Sequence, residues 1–283
     1  MNHSLAWAYL RLLPKMFRRQ PSSVDFETLT LTWDQLAFDQ QHYQRYARFF
    51  EIEQQRIHPL YCYILGQGPQ LALLNHRDFP FAPAGVVHLR NQTLSHQPLL
   101  DDQPYRFSLS AQLEEQRANG YQLLLTSTLH QQDQLCAVNR TWALARLPGK
   151  VRRGDREPPP TPAYEPFASL VMPADVGRRY ARVSGDYNPI HLRRWLARRF
   201  GFRQPIAHGM YSLMRVVSVI ERQSGLRSRQ IDVRFLRPVY LPSVSGLAYE
   251  DGAQGMHFEL SDDHGHLQMA GHVNDRPPVI SQE

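Results

Sequence analysis

Apolar and polar positions alternate with a period of two over 86–94, 105–113, 121–129 and 135–147, and again over 230–236, 243–250, 255–260 and 266–273. That is the period of strands with one buried face. Turn signals such as Asp262-Asp263-His264-Gly265 separate the segments, so each set of four reads as an antiparallel meander. A different period follows Gly209, where Met210, Leu213, Met214, Val217 and Ile220 recur every three or four positions. This spacing predicts a helix starting at Gly209 with one face buried. A shorter helix-like stretch follows Ile57-His58-Pro59 in the first half.

The two halves look like a diverged repeat. Tyr46-Ala47-Arg48 parallels Tyr180-Ala181-Arg182, and Ile57-His58-Pro59 parallels Ala207-His208-Gly209. Between them the pattern breaks into charges and prolines, including Arg152-Arg153-Gly154-Asp155 and Pro158-Pro159-Pro160, which read as a semi-rigid linker. The expected organisation is a basic, apolar N-terminal segment over 1–20, a first domain over 21–148, a linker over 149–163 and a second domain over 164–283. The expected class is α+β.

Composition narrows the picture. The 283 residues are 42% hydrophobic and 11% aromatic, enough for packed cores rather than disorder. The formal charge of +6 comes from scattered arginines without a nucleic-acid-binding motif, so an acidic ligand accounts for it as well as nucleic acid does. Cys62 and Cys136 have no disulfide or zinc spacing, which points to core thiols in a reducing, cytoplasmic setting. No apolar run reaches the roughly 20 residues of a membrane span. The positive charges of 1–20 fall within and after its apolar part, unlike a secretory leader, and the segment reads as a helix docked on the protein or lying at a membrane interface.

The chemistry concentrates in Ser184-Gly185-Asp186-Tyr187-Asn188-Pro189-Ile190-His191. Asn188-Pro189 signals a turn and helix start, placing Asp186 on a loop and His191 on a first helical turn, where a carboxylate and an imidazole can hold one water between them. Unpaired amides at the start of the helix from Gly209 are suited to stabilising developing negative charge. None of the 13 histidines has metal-site spacing, and neither a metal nor a cofactor is expected.

This run, with Pro205-Ile206-Ala207-His208-Gly209-Met210 after it, resembles the MaoC-like (R)-specific enoyl-CoA hydratase and dehydratase family. The resemblance implies a double hotdog, each half a central helix wrapped by an antiparallel sheet, and reversible hydration of trans-2-enoyl thioesters. It implies that Asp186 and His191 hold the catalytic water, and that the Gly209 amide polarises the thioester carbonyl of an acyl-CoA or acyl carrier protein substrate. Which of the two takes the water proton stays open. His208, Met210 and Tyr187 are expected around the substrate; Ser184, Gly185, Asn188 and Pro189 are expected to shape the motif.

Two departures stand out. Many members carry an acidic residue two positions after the motif histidine, where this chain has Arg193, within a stretch also holding Arg194, Arg198, Arg199 and Arg203. These arginines read equally as a contact for phosphates or as a solvated helix face. In the first half, 12 positions separate Tyr46 from His58, against 28 from Tyr180 to His208, so there is no room for an Asp/His pair. Pro59 stands in place of Gly209 and has no N–H to offer. The first half is therefore expected to be a catalytically dead partner that completes the sheet and shapes an acyl tunnel, with Phe79-Pro80-Phe81 and Pro83 either in that tunnel or in a plain loop. Pairing of this internal pseudo-dimer into a homodimer is left open. A hotdog thioesterase and a non-catalytic acyl-thioester-binding subunit are the rival functions.

Overall fold

In a computed structural model of the protein, the described residues are Tyr9, Arg11, Leu12, Pro14, Lys15, Arg18, Gln20 and Pro21, then 23–83, 86–147, 161–253 and 255–279. The linker expected over 149–163 lies outside them except for its last three positions. Among the described residues no helix is long and apolar enough to cross a membrane.

Alternation drives the strands. In β3 (Tyr105–Arg117), Tyr105, Phe107, Leu109 and Ala111 are buried, while Arg106, Ser108 and Ser110 between them are exposed or half-buried. The same logic builds β2 (Val86–Ser95), β4 (Gly120–Gln131) and β5 (Gln134–Arg146), then β7 (Gln230–Phe235), β8 (Ser243–Gly252), β9 (Gly255–Ser261) and β10 (Leu267–Asn274). Two edge strands, β1 (Leu29–Leu36) and β6 (Ala168–Met172), were not among the expected ones. Each pairs along one side only, and β6 is just five residues long.

All ten strands form one antiparallel sheet in the order β1-β3-β4-β5-β2-β7-β10-β9-β8-β6. The meander expectation needs correcting: only β3-β4-β5 and β8-β9-β10 run as neighbours in sequence order. β2 and β7 lie beyond β5 and β10, and their free edges pair with each other from Arg90↔Arg234 to Leu94↔Gln230. Left unpaired, each would expose a row of backbone donors and acceptors. A bidentate Arg90–Asp232 ion pair ties this seam.

The strand order about the seam is the same in both directions, so the halves are structural copies and the fold is a double hotdog. Each half sends a helix after its edge strand, α1 (Gln40–Phe50) and α4 (Val176–Ser184), and these pack on one another. Tyr46 and Tyr180, matched in sequence, are both fully buried there. Phe50 meets Tyr180 and Tyr211 at ring-centroid distances of 5.9 and 5.8 Å.

The central helices differ. In the first half the helix is split into α2 (Tyr61–Leu65) and α3 (Gln67–Asn75), as the poor helix formers Gly66, Gly68 and Pro69 dictate. In the second half, α6 (Gly209–Ser224) is continuous and buried nearly all round, because the sheet wraps it and α1 covers it; only Arg215 and Val219 escape burial between Met210 and Ile220. The extra chain before α6 folds into a 3-10 turn (Pro189–His191) and the short α5 (Arg194–Arg199). Cys62 and Cys136 are buried, unpaired thiols.

Candidate active site

Three side chains meet where the extra chain crosses the start of α6. Ligand atoms of Asp186, His191 and His208 all lie within 4.8 Å of one another. Gly185, in a left-handed conformation with φ 78°, ends α4 and turns the chain, and Ser184 Oγ accepts the Asp186 N–H at 3.1 Å. Asp186 Oδ1 accepts the Asn188 N–H at 3.0 Å, and Asn188 Oδ1 caps the 3-10 turn by accepting from Ile190 N. Pro189 opens that turn, so His191 sits in the first helical turn after Asn188, a 3-10 turn.

His191 is clamped by backbone. Its Nδ1 is 2.8 Å from the Ile206 carbonyl oxygen, which makes Nδ1 the protonated nitrogen and leaves Nε2 a free lone pair. On its other side, a Cβ on Gly177 of α4 would lie 2.1 Å from the His191 carbonyl oxygen; only glycine permits this approach. Arg178 adds a hydrogen bond from Nη1 to the Leu192 carbonyl at 3.2 Å.

His208, the residue before α6, donates from Nε2 to the Asp186 carbonyl at 3.1 Å, and its ring stacks on His191 at 3.7 Å. It therefore joins the helix start to the Asp186 loop. Behind it Tyr180 packs edge-on at 4.8 Å. No described residue accepts from the Gly209 N–H, which stands free at the helix end. The Gly209 Cα lies under the Phe235 ring, where a Cβ would come within 2.9 Å.

Electrostatics separate the three groups. Burial opposes the Asp186 charge, but His208, His191 and the Asn188 N–H outweigh it and hold its carboxyl below the usual range. Burial pushes His191 below its ordinary value and His208 down to about 3. At neutral pH the site thus holds a carboxylate and two neutral imidazoles.

These groups open onto a cavity of about 280 Å³. Asp186, His191, His208, Gly209 and Met210 line it from the second half; Leu71, Leu74, Phe79, Pro83, Leu123 and Leu125 line it from the first. Phe81 instead packs in the core against Phe26 and Tyr121. Tyr187 does not line the cavity: its ring lies edge-on against Tyr9, and its N–H donates to the Tyr9 hydroxyl. Tyr9, His88, Gly177 and Tyr180 are site residues that motif reading missed. Only Gly177, a glycine inside a helical pattern, left a local signal.

The Asp186, His191 and His208 grouping is tight enough for a cation. Each imidazole commits one nitrogen to a carbonyl, which leaves His191 Nε2 and His208 Nδ1 as the remaining ring donors.

In the first half, the matching helix start is consumed by the protein. His58 Nδ1 takes the Leu60 N–H at 3.1 Å, and His58 Nε2 is held 3.3 Å from Glu221 on α6.

The MaoC-like domain model matches residues 157–260. Over 246 residues the chain is 30% identical to 3-hydroxyacyl-thioester dehydratase X of Mycobacterium tuberculosis, covering 85% of this chain and 86% of that protein. The chain belongs to the MaoC-like dehydratase family. The crystal structure of that M. tuberculosis protein, HtdX, superimposes with a TM-score of 0.73 at 26% identity, over 87% of this chain and 99% of that one. A MaoC-like dehydratase from Phytophthora capsici shares the fold at 17% identity, with a TM-score of 0.63 over 90% of this chain and 96% of that one. As a member of the MaoC-like dehydratases, the protein is a lyase. The family match falls on the half that carries Asp186, His191 and Gly209, the half with the free helix-start amide.

Proposed function

We propose that the protein interconverts trans-2-enoyl thioesters and (R)-3-hydroxyacyl thioesters by adding or removing water. The observation that carries this reading is one cavity wall holding a carboxylate, an imidazole with a free Nε2 and a free helix-start N–H. A water held by Asp186 and His191 attacks C3, the Gly209 N–H takes the charge that builds on the thioester oxygen, and C2 receives a proton. Asp186 and His191 are both unprotonated at neutral pH, so the proton removed from water is the one returned to C2. In dehydration the same route runs backwards, the proton taken from C2 leaving with the hydroxyl. Shared general acid/base work of this kind contributes about 10²–10⁴-fold, and an oxyanion donor about 10²–10³-fold.

The first half acts as the non-catalytic partner, supplying apolar wall for the acyl chain. Arg237, which lines the cavity, and the exposed Arg193, Arg194, Arg198 and Arg199 after the 3-10 turn are the cations offered to the carrier end, CoA or acyl carrier protein.

Incubation with enoyl-CoA thioesters of graded chain length tests the reading. Loss of the conjugated-enone absorbance without release of free thiol, abolished in Asp186→Asn and His191→Ala, is expected. Thiol release would make the protein a thioesterase, and tight binding with no turnover in wild type would make it a binding subunit.

A further inference from the structure

The N-terminal segment reaches the site from the far end of the chain. Leu12 is buried against Leu71, and Lys15 Nζ donates to the carbonyls of Leu74, Asn75 and His76 at 3.4, 2.9 and 2.9 Å, a cation on the C-terminal end of α3. Gln20 exchanges two hydrogen bonds with the Ala82 backbone at 2.8 and 2.9 Å. This strap is thus fastened to the first half, yet Tyr9 at its near end lies against the motif loop of the second. The Tyr9 hydroxyl accepts the Tyr187 N–H at 2.9 Å, its ring stands edge-on to Tyr187 at 5.8 Å, and it lines the same cavity as Asp186.

A phenol has one proton to give besides the lone pairs it offers. With a lone pair of Tyr9 taken by the Tyr187 N–H, the proton remains, and the carboxylate that borders the same cavity one residue before that N–H is Asp186. Burial first, and then the Asp186 charge, holds the phenol above its ordinary range, so it stays a donor at working pH. Asp186 has the matching vacancy. Its Oδ1 takes the Asn188 N–H, while Oδ2 stands 3.9 Å from His208 Nε2, which already donates to the Asp186 carbonyl.

We propose that Tyr9 is a positioning residue for Asp186: its hydroxyl anchors on the Tyr187 N–H and donates a hydrogen bond to the Asp186 carboxylate, aiming that carboxylate at the water site. The catalytic unit is then composite, with the first half, through its strap, supplying a polar group as well as acyl wall. The catalytic consequence rests on the hydratase reading above; the hydrogen bond itself does not.

Tyr9→Phe keeps the ring and deletes the hydroxyl. The decisive measurement is a ¹³C-carboxylate NMR titration of Asp186, assigned with Asp186→Asn, in wild type and Tyr9→Phe. Loss of a donor to the charged form is expected to move the Asp186 titration up by about one pH unit. On an enoyl thioester, kcat is expected to fall about tenfold with KM nearly unchanged, the signature of misaimed proton transfer rather than lost binding. An unmoved Asp186 titration in Tyr9→Phe overturns the proposal whatever the activity does. If the titration moves but wild type turns over no enoyl thioester, the positioning role stands and the hydratase reading falls. Should Tyr9→Phe fail to fold, Lys15→Gln, which loosens the strap away from the site, takes its place: a smaller upward shift supports the proposal and an unmoved titration overturns it.

Discussion

At the residue scale the site depends on one protonation pattern, and that pattern sets its pH response. Burial holds the His191 imidazole below its ordinary value near 6.5, and the neighbouring imidazoles and the Asn188 N–H hold the Asp186 carboxyl below its own, so both are free to take a proton at neutral pH. The kcat/KM profile is expected to be flat through neutrality and to fall on an acid limb lying below pH ~6.5; a limb above 7 would contradict the assignment. His191→Gln is expected to lower kcat by about 10²–10⁴-fold with the fold intact by circular dichroism. Gly209→Ala tests another feature, the Phe235 ring over its Cα. The methyl group should drive that ring into the cavity, raising KM more than it lowers kcat and costing about 1–3 kcal/mol of stability in urea titrations. The pairing of Asp186 with His191 was legible in the sequence because both lie in one short turn whose geometry Asn188-Pro189 dictates. Tyr9 was not, since nothing local to residue 9 records a contact made 178 positions away.

Among the elements, legibility followed burial. Eight strands were read from the chain, whereas β1 and β6, at the margins of the sheet, were not: β1 alternates in sequence, but none of its residues is buried. Helix α4 shows a residue whose role is wholly a matter of packing. Gly177 weakens the helix by propensity, yet it lets α4 touch the His191 backbone. Gly177→Ala should improve helix propensity and still harm the protein: the 2.1 Å clash is with backbone, so the 189–192 turn must move. Activity is expected to drop at least tenfold, with a lower Tm, in parallel assays of turnover and thermal unfolding; a variant as active as wild type would show that the turn tolerates displacement.

On the scale of the whole molecule, two copies of one fold have divided the labour. The second retains an open helix start; the first has filled its own with His58 and tied it to Glu221. Their seam carries the Arg90–Asp232 pair, in which Asp232 is only 11% exposed and has Gln92 as its other side-chain donor. Arg90→Ala is expected to cost about 2 kcal/mol in equilibrium unfolding, because it leaves a largely buried carboxylate underpaired. Acid should destabilise the entire fold earlier than carboxylate titration alone would. Burial holds His88 down to about 4 and His208 to about 3, so the unfolded chain takes up their protons near pH 6.5 while the folded one does not. Stability is therefore fully present above about 6.5 and declines as pH falls, by about 1 kcal/mol per histidine at pH 5.5. Urea unfolding at pH 7.5 and 5.5 measures this. His88→Leu, which also removes a buried Nε2 lacking any partner among the described residues, should flatten the slope.

By itself the sequence determined eight of the ten described strands, the long helix, the duplication and the half that holds the acid/base pair, since periodicity, turn residues and a short motif act over short stretches of chain. Tertiary structure alone decided which strands, β2 and β7, close the sheet across the seam, which residues of the first half wall the cavity, and that Gly177 and Tyr9 reach His191 and Asp186. Those contacts join segments with no shared local pattern. They exist because buried surface and unpaired polar groups had to be satisfied across the folded molecule, and that requirement has no counterpart in an extended chain.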